Sequence, residues 1–260
     1  MSEISVDERL RVRERPGGRA VMRQVWRHLA FLHWPVDREA LARLLPPGLQ
    51  VDCFGGVAYV GVVPFTIPLT RTGFGLPIAR PFHEINLRTY VHRGGRDPGV
   101  WFFSLDATSR LAVAGARLAY RLPYFAAEIA MRVAPDAAAG DPTVDYRLRR
   151  HGSGAAFTAH YRPNGPVAPA APGSLEFFLA ERYLLYARAG RRLRVARVFH
   201  APYPLQPAAA ENVTQTLTDV AGFPPGSCQG PPPLVHYAAE VDVRIFRPHP
   251  SDPRSPPSPP

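Results

Sequence analysis

Glu84, Asn86, Arg88 and Tyr90 take every second position of one stretch, FHEINLRTYVHR, from Phe82 to Arg93. On an extended strand they project from one face, while Ile85, Leu87, Thr89 and Val91 project from the other. A carboxylate, an amide, a guanidinium and a phenol in one row suit the lining of a small-molecule pocket. In an apolar enclosure the pKa of Glu84 would rise, which fits a general acid or base. Arg88 could hold a carboxylate in bidentate fashion. Glu84 and Arg88 stand roughly 13 Å apart at ~3.3 Å per strand residue, so they address opposite ends of a ligand or different layers of the pocket. Two plainer readings compete: an ordinary half-exposed strand, and a structural Arg–Glu pair that ties neighbouring strands together.

The elements that must position this row are mostly strands. Alternation and β-branched content predict strands over Val25–Trp34, Val57–Pro64, Glu84–His92, Val100–Leu105, Ala127–Val133, Val144–Arg150, Ala155–Tyr161, Arg182–Ala187, Arg192–Phe199 and Ala238–Phe246. Gly94-Gly95 and Gly190 supply turns. Three helices interrupt them. Asp37 caps the first, which Pro46-Pro47-Gly48 stops. Thr108 or Ser109 opens the second, whose small residues Ala112, Gly115, Ala116 and Ala119 make a thin packing face, and which ends before Leu122-Pro123. Ser174 opens the third. Segments Arg162–Gly173 and Phe223–Pro233 read as surface loops. Residues 1–20 read as a flexible basic segment, residues 21–247 as one domain, and residues 248–260, PHPSDPRSPPSPP, as a Pro-rich disordered tail unable to join a ladder. This pattern predicts an α+β fold, a mostly antiparallel β cone or barrel with a few peripheral helices.

Composition excludes several functional classes. At 260 residues and 46% hydrophobic content the chain is long enough to bury a sizeable core. No apolar run reaches the ~18 residues of a membrane helix, and the charged opening is not a secretory signal. Cytoplasmic location and no membrane partner are the resulting expectations. The two cysteines, Cys53 and Cys228, make neither a disulfide scaffold nor a metal set. The nine histidines are scattered without metal-ligand spacing, so no metal and no cofactor are expected. The +10 charge comes without a nucleic-acid-binding motif and reads as a solvated basic surface, with no specific nucleic-acid partner. All 31 basic residues are arginine, a bias that fits GC-rich coding. Without lysine the chain has no side-chain amine to form a Schiff base. Cys53 lacks a nearby base. His200 suits a pocket edge or a structural hydrogen bond equally, and Glu181-Arg182-Tyr183 reads as a solvated helix end.

Two segments carry a family resemblance: Arg27 to Asp52, containing FLHWPVDREALARLLPPGLQVD, and Phe82 to Ala126, ending FSLDATSRLAVAGARLAYRLPYFA. Both resemble the acetoacetate decarboxylase-like superfamily. Together with NLRTYV, PGSLEFFLAERYLLY and HAPYPLQ they are similar to its bacterial branch of unknown function, over roughly Met22 to Pro207. The resemblance implies that Arg27 matches the pocket arginine of the decarboxylases and Glu84 a pocket glutamate. Tyr124 stands where their imine-forming lysine would be, and Phe125 where its lysine neighbour would be. Their second pocket glutamate has no counterpart in Val57–Val63.

The expected pocket therefore comprises Glu84 as a candidate acid/base, with Arg27, Asn86, Arg88, Tyr90 and Tyr124 as ligand-binding residues. The expected ligand is a small organic acid or carbonyl compound, and a homo-oligomer is implied by the superfamily's habit. Three functions stay open: a non-imine binder of such a compound, a non-imine enzyme acting on a small oxo or hydroxy acid, and a structural or interaction protein.

Overall fold

A computed structural model describes residues 3–135, 141–190 and 192–250. In chain order the elements begin with α1 (Val6–Arg13), β1 (Met22–Val36), α2 (Arg38–Arg43), β2 (Gln50–Val51), β3 (Ala58–Thr72), β4 (Pro77–Ala79), β5 (Phe82–Arg93) and β6 (Arg96–Ala107). They continue with α3 (Arg110–Tyr120), β7 (Tyr124–Pro135), β8 (Pro142–Arg150), β9 (Ala156–Pro163), α4 (Leu175–Ala180) and β10 (Leu184–Ala189). The chain then runs through β11 (Arg192–Phe199), β12 (Leu205–Gln215), α5 (Leu217–Val220), β13 (Leu234–Ile245) and β14 (His249–Pro250). Serine and aspartate side chains cap the three anticipated helices: Asp37 accepts from the Ala40 N–H, Ser109 from Ala112 and Ser174 from Phe177. Among the described residues no helix is long and apolar enough to cross a membrane.

The strands form one large sheet that curls and closes on itself. Its ladders are antiparallel except where β6 runs parallel to β7 and to β10. The wall β13–β1–β3–β5–β6 is shared by two rings. One closes through β7, β8, β9 and β12; the other closes through β10 and β11, which pairs back onto β13. The fold is thus an α+β cone of mostly antiparallel strands.

Because side chains alternate along a strand, the shared wall serves both rings. Ile85 and Leu87 of β5 pack into the first ring with Val60, Val62, Tyr146 and Phe157 and fill it. Glu84, Asn86 and Arg88 point into the second. On β1 the alternation changes phase at His28, which adopts a left-handed backbone (φ 54°) where the ladder to β3 loses register. Before this bulge Met22, Gln24 and Trp26 face the second ring; after it Leu29 and Phe31 do. The filled ring fixes the bulge: Tyr161 donates to the His28 carbonyl at 3.0 Å, and the Tyr237 hydroxyl lies 2.7 Å from its Nδ1.

Three expectations change. The opening segment is not free: α1 buries Arg9 and Val12, and Arg9 grips Asp52 with two bonds of 2.7 and 2.8 Å. Its partner is 43 residues away, so local sequence shows only charge. The tail does join a ladder at its start, since His249 and Pro250 pair with Val195 and Arg194 of β11; a proline is tolerated on such an edge. The remainder of the tail, residues 251–260, lies outside the described residues. Strand β12 was not anticipated, because its PAAAEN run has neither alternation nor β-branched residues and is held by pairing to β9 and β13.

Candidate functional site

The second ring encloses a cavity of about 750 Å³. The pairing of β3 with β4 and β5 orders its wall by depth. Thr70 opposite Ala79 lies at the rim, then come Phe82, Phe65 opposite Glu84, Val63 opposite Asn86, and Arg88 at the floor. Helix α3 stands beside the rim, contributing Leu111, Ala112, Gly115 and Ala116 to the lining. Helix α4 closes the floor, where the Leu179 carbonyl accepts bonds from Arg88 Nη2 (2.9 Å) and the Tyr90 hydroxyl (2.8 Å).

The floor holds cationic and amide groups with unused capacity. Arg88 is only 7% exposed and enters no ion pair among the described residues. Its guanidinium lies over the Phe31 and Tyr90 rings, and its Nε has no hydrogen-bond partner. The Asn86 Oδ1 is likewise buried and unpartnered. Arg182 also lines the cavity. It donates from Nε to the Phe178 carbonyl and from Nη1 to Asp52, both at 2.7 Å, leaving Nη2 without a partner. Burial lowers its pKa to about 10, opposed by Asp52, so it stays charged at neutral pH. Buried donors left unpaired cost on the order of 1–3 kcal/mol each, and an anion would satisfy them.

Nearer the rim, the Tyr124 hydroxyl donates to Glu84 Oε2 at 3.1 Å. Glu84 is 4% exposed. Burial raises its pKa to about 8; the bond from Tyr124 opposes this, and the Asp106 charge adds to it. Burial and the Glu84 carboxyl together push the Tyr124 phenol well above its ordinary value. At neutral pH the pair therefore consists mainly of a neutral acid and a neutral phenol, able to exchange protons with a ligand oxygen. Asp106 itself is committed, bound through both oxygens to buried Arg150, whose guanidinium stacks 4.1 Å from the Phe125 ring. Among the described residues no group of three or more His, Cys, Asp or Glu side chains could hold a metal ion.

The family model described as "DUF2071: Uncharacterized conserved protein" matches residues 23–242. This chain belongs to the DUF2071 family. It is also 41% identical over 234 residues to an uncharacterized protein, YqjF, of Bacillus subtilis (strain 168), spanning 89% of this chain and 93% of that one. Its fold is similar to that of acetoacetate decarboxylase from Legionella pneumophila (TM-score 0.62, 13% identity, 91% of this chain and 88% of that one). It is similar as well to the enduracididine biosynthesis enzyme MppR complexed with pyruvate (TM-score 0.58, 14% identity, 93% and 95%). An uncharacterised branch of the acetoacetate decarboxylase-like fold is thereby established.

In this DUF2071 protein four of the six anticipated site residues, Glu84, Asn86, Arg88 and Tyr124, line one cavity. Two do not. Arg27 points outward and pairs with Glu240, both side chains about half exposed. It sits in odd phase just before the His28 bulge, whereas the inward residues there are even-numbered. Tyr90 is fully buried below the floor, bonded to the Leu179 carbonyl and 2.6 Å from His33 Nε2; its role is to close the chamber.

Sequence reasoning missed Arg182, and Glu181-Arg182-Tyr183 is not a solvated helix end. All three are buried. Glu181 accepts from the Tyr183 hydroxyl and from the Tyr203 N–H (2.9 Å). The usable signal was Asp52, an acid following LQV in a run headed for the core, which needs a buried cation. His200 stacks on Tyr183 and sits tilted against Tyr203, its Nδ1 2.8 Å from the Ala201 carbonyl, and it does not line the cavity.

Proposed function

We propose that this protein binds a small organic acid or carbonyl compound in the cavity, without forming an imine. The carrying observation is the buried Arg88 guanidinium, with an open donor at Nε beside the open amide oxygen of Asn86, in a chamber that has room for a ligand. Arginine donors of this kind match a carboxylate. The chain contains no lysine, and the residue bonded to Glu84 is a phenol, which cannot condense with a ketone. The pyruvate complex of MppR, an oxo acid held in a similar fold, is consistent with this ligand class.

A second reading makes the protein a non-imine enzyme with Glu84 as general acid/base on an oxo or hydroxy acid. The raised pKa of Glu84, near the working pH, favours it. One set of measurements separates the readings. A thermal-shift screen of small oxo, hydroxy and simple carboxylic acids is expected to give stabilisation that is lost in Arg88→Met. Borohydride trapping with acetoacetate is expected to leave no side-chain adduct; an adduct would overturn the non-imine reading. Turnover of any bound acid that disappears in Glu84→Gln selects the enzyme, whereas binding that persists in Glu84→Gln without turnover selects the binder.

A further inference from the structure

The chamber's buried, unpartnered polar groups lie at depth, while Gln24, Thr70, Arg80 and Ser109 add polar edges to an otherwise apolar outer part. From the level of Glu84 outward its walls include Phe65, Trp26, Phe82, Val198 and Ile245. Trp26 and Phe65 pack ring against ring at 5.1 Å, and the Trp26 N–H is already used by Gln24 at 2.8 Å. The apolar lining continues out through the rim, where Ile78 and Leu111 are 54% and 87% exposed. A three- or four-carbon acid seated on Arg88 would leave this upper chamber unfilled. The distance along β5 from Arg88 to Phe82 is six residues, about 20 Å, and cavities of roughly 300–1,000 Å³ accommodate ligands far larger than pyruvate.

We propose that the ligand is an amphiphilic carboxylic acid. This deepens, and rests on, the acid-binding reading above. The carboxylate accepts from Arg88 Nε and Arg182 Nη2 at the floor. A polar substituent near the head, such as an oxo or hydroxy oxygen, falls within reach of Asn86 and of the Glu84–Tyr124 pair. An alkyl or aryl body runs upward between Trp26, Phe65 and Phe82, and its end reaches the opening between β4 and α3. Exposed Ile78 and Leu111 thus border an entrance for an apolar tail.

The test is a series of straight-chain carboxylates from acetate to decanoate, each below its micelle concentration, titrated into the full-length protein by calorimetry. Pyruvate and decan-1-ol complete the set. Burying each methylene is worth ~0.8 kcal/mol, so affinity is expected to rise about fourfold per carbon until the chain reaches the rim. Decanoate is expected to lose at least tenfold in Arg88→Met, while decan-1-ol binds both proteins alike. A flat series in which acetate and pyruvate bind as well as decanoate overturns the amphiphile and leaves the small-acid reading standing. Decanoate binding unchanged by Arg88→Met overturns the placement of its carboxylate. Absence of binding by every acid overturns both readings together. Because the chain-length series uses the unaltered protein, it remains decisive even if the variant misfolds.

Discussion

The two rings built on the shared wall differ in what the wall's alternate residues do. On one side Ile85 and Leu87 pack in one buried apolar cluster with Tyr146 and Phe157. On the other, one residue out of phase, Glu84, Asn86 and Arg88 face open space. The same contrast holds between buried arginines. Arg150, beside the filled ring, is matched oxygen for nitrogen by Asp106, whereas Arg88 in the open ring has only a carbonyl. One ring is therefore mainly scaffold, and the other carries the open guanidinium and amide groups of Arg88 and Asn86.

The sharpest way to break this division is to remove the partner of a paired arginine. Asp106→Ala strands Arg150 and is expected to cost about 3–5 kcal/mol in denaturant unfolding. Leu87→Ala, which opens a hole in the filled ring, is expected to cost about 2–5 kcal/mol. A loss below 1 kcal/mol in either variant would mean that the first ring is not the scaffold.

Glu84→Gln separates the rings by pH. Folding raises the Glu84 pKa from 4.5 to about 8. Between these values the folded protein retains a proton that the unfolded chain has released. Wild-type stability from this group is thus fully present below about pH 4.5 and declines as pH rises through 8. The wild type is expected to lose up to a few kcal/mol relative to Glu84→Gln across that window, read as a difference between two unfolding curves. Parallel curves would indicate a hydrated, ordinary carboxylate.

Smaller effects test the open ring. Arg88→Met is expected to shift stability by no more than about 1 kcal/mol in either direction, since no ion pair is broken, yet to abolish stabilisation by carboxylic acids. Arg27→Ala is expected to change stability by less than about 1 kcal/mol, as for other exposed pairs, and to leave ligand response unaltered. A large binding defect in Arg27→Ala would place that residue back in the pocket.

Much of this was legible from local pattern. The period-two row of β5, the three helix caps and the motifs that resemble the decarboxylase-like fold all depend on neighbours a few residues apart. They led to the α+β cone and to Glu84, Asn86, Arg88 and Tyr124 in one chamber. Where the reading failed, the cause was distant. Arg27 was matched by spacing, but the bulge at His28, held by Tyr161 and Tyr237, decides which way β1 faces. Arg9 and Arg182 read as solvated because their common partner, Asp52, lies 43 and 130 residues away.

By itself, then, the sequence determined the kind of sheet, the absence of any lysine and the polar row that faces inward. Only the tertiary structure decided which chamber stays open, which arginines are left unpaired and which residue of each strand meets the cavity. The reason is physical. Alternation is a property of one strand, but its phase at a bulge and the pairing of a buried charge are settled by side chains arriving from elsewhere in the chain.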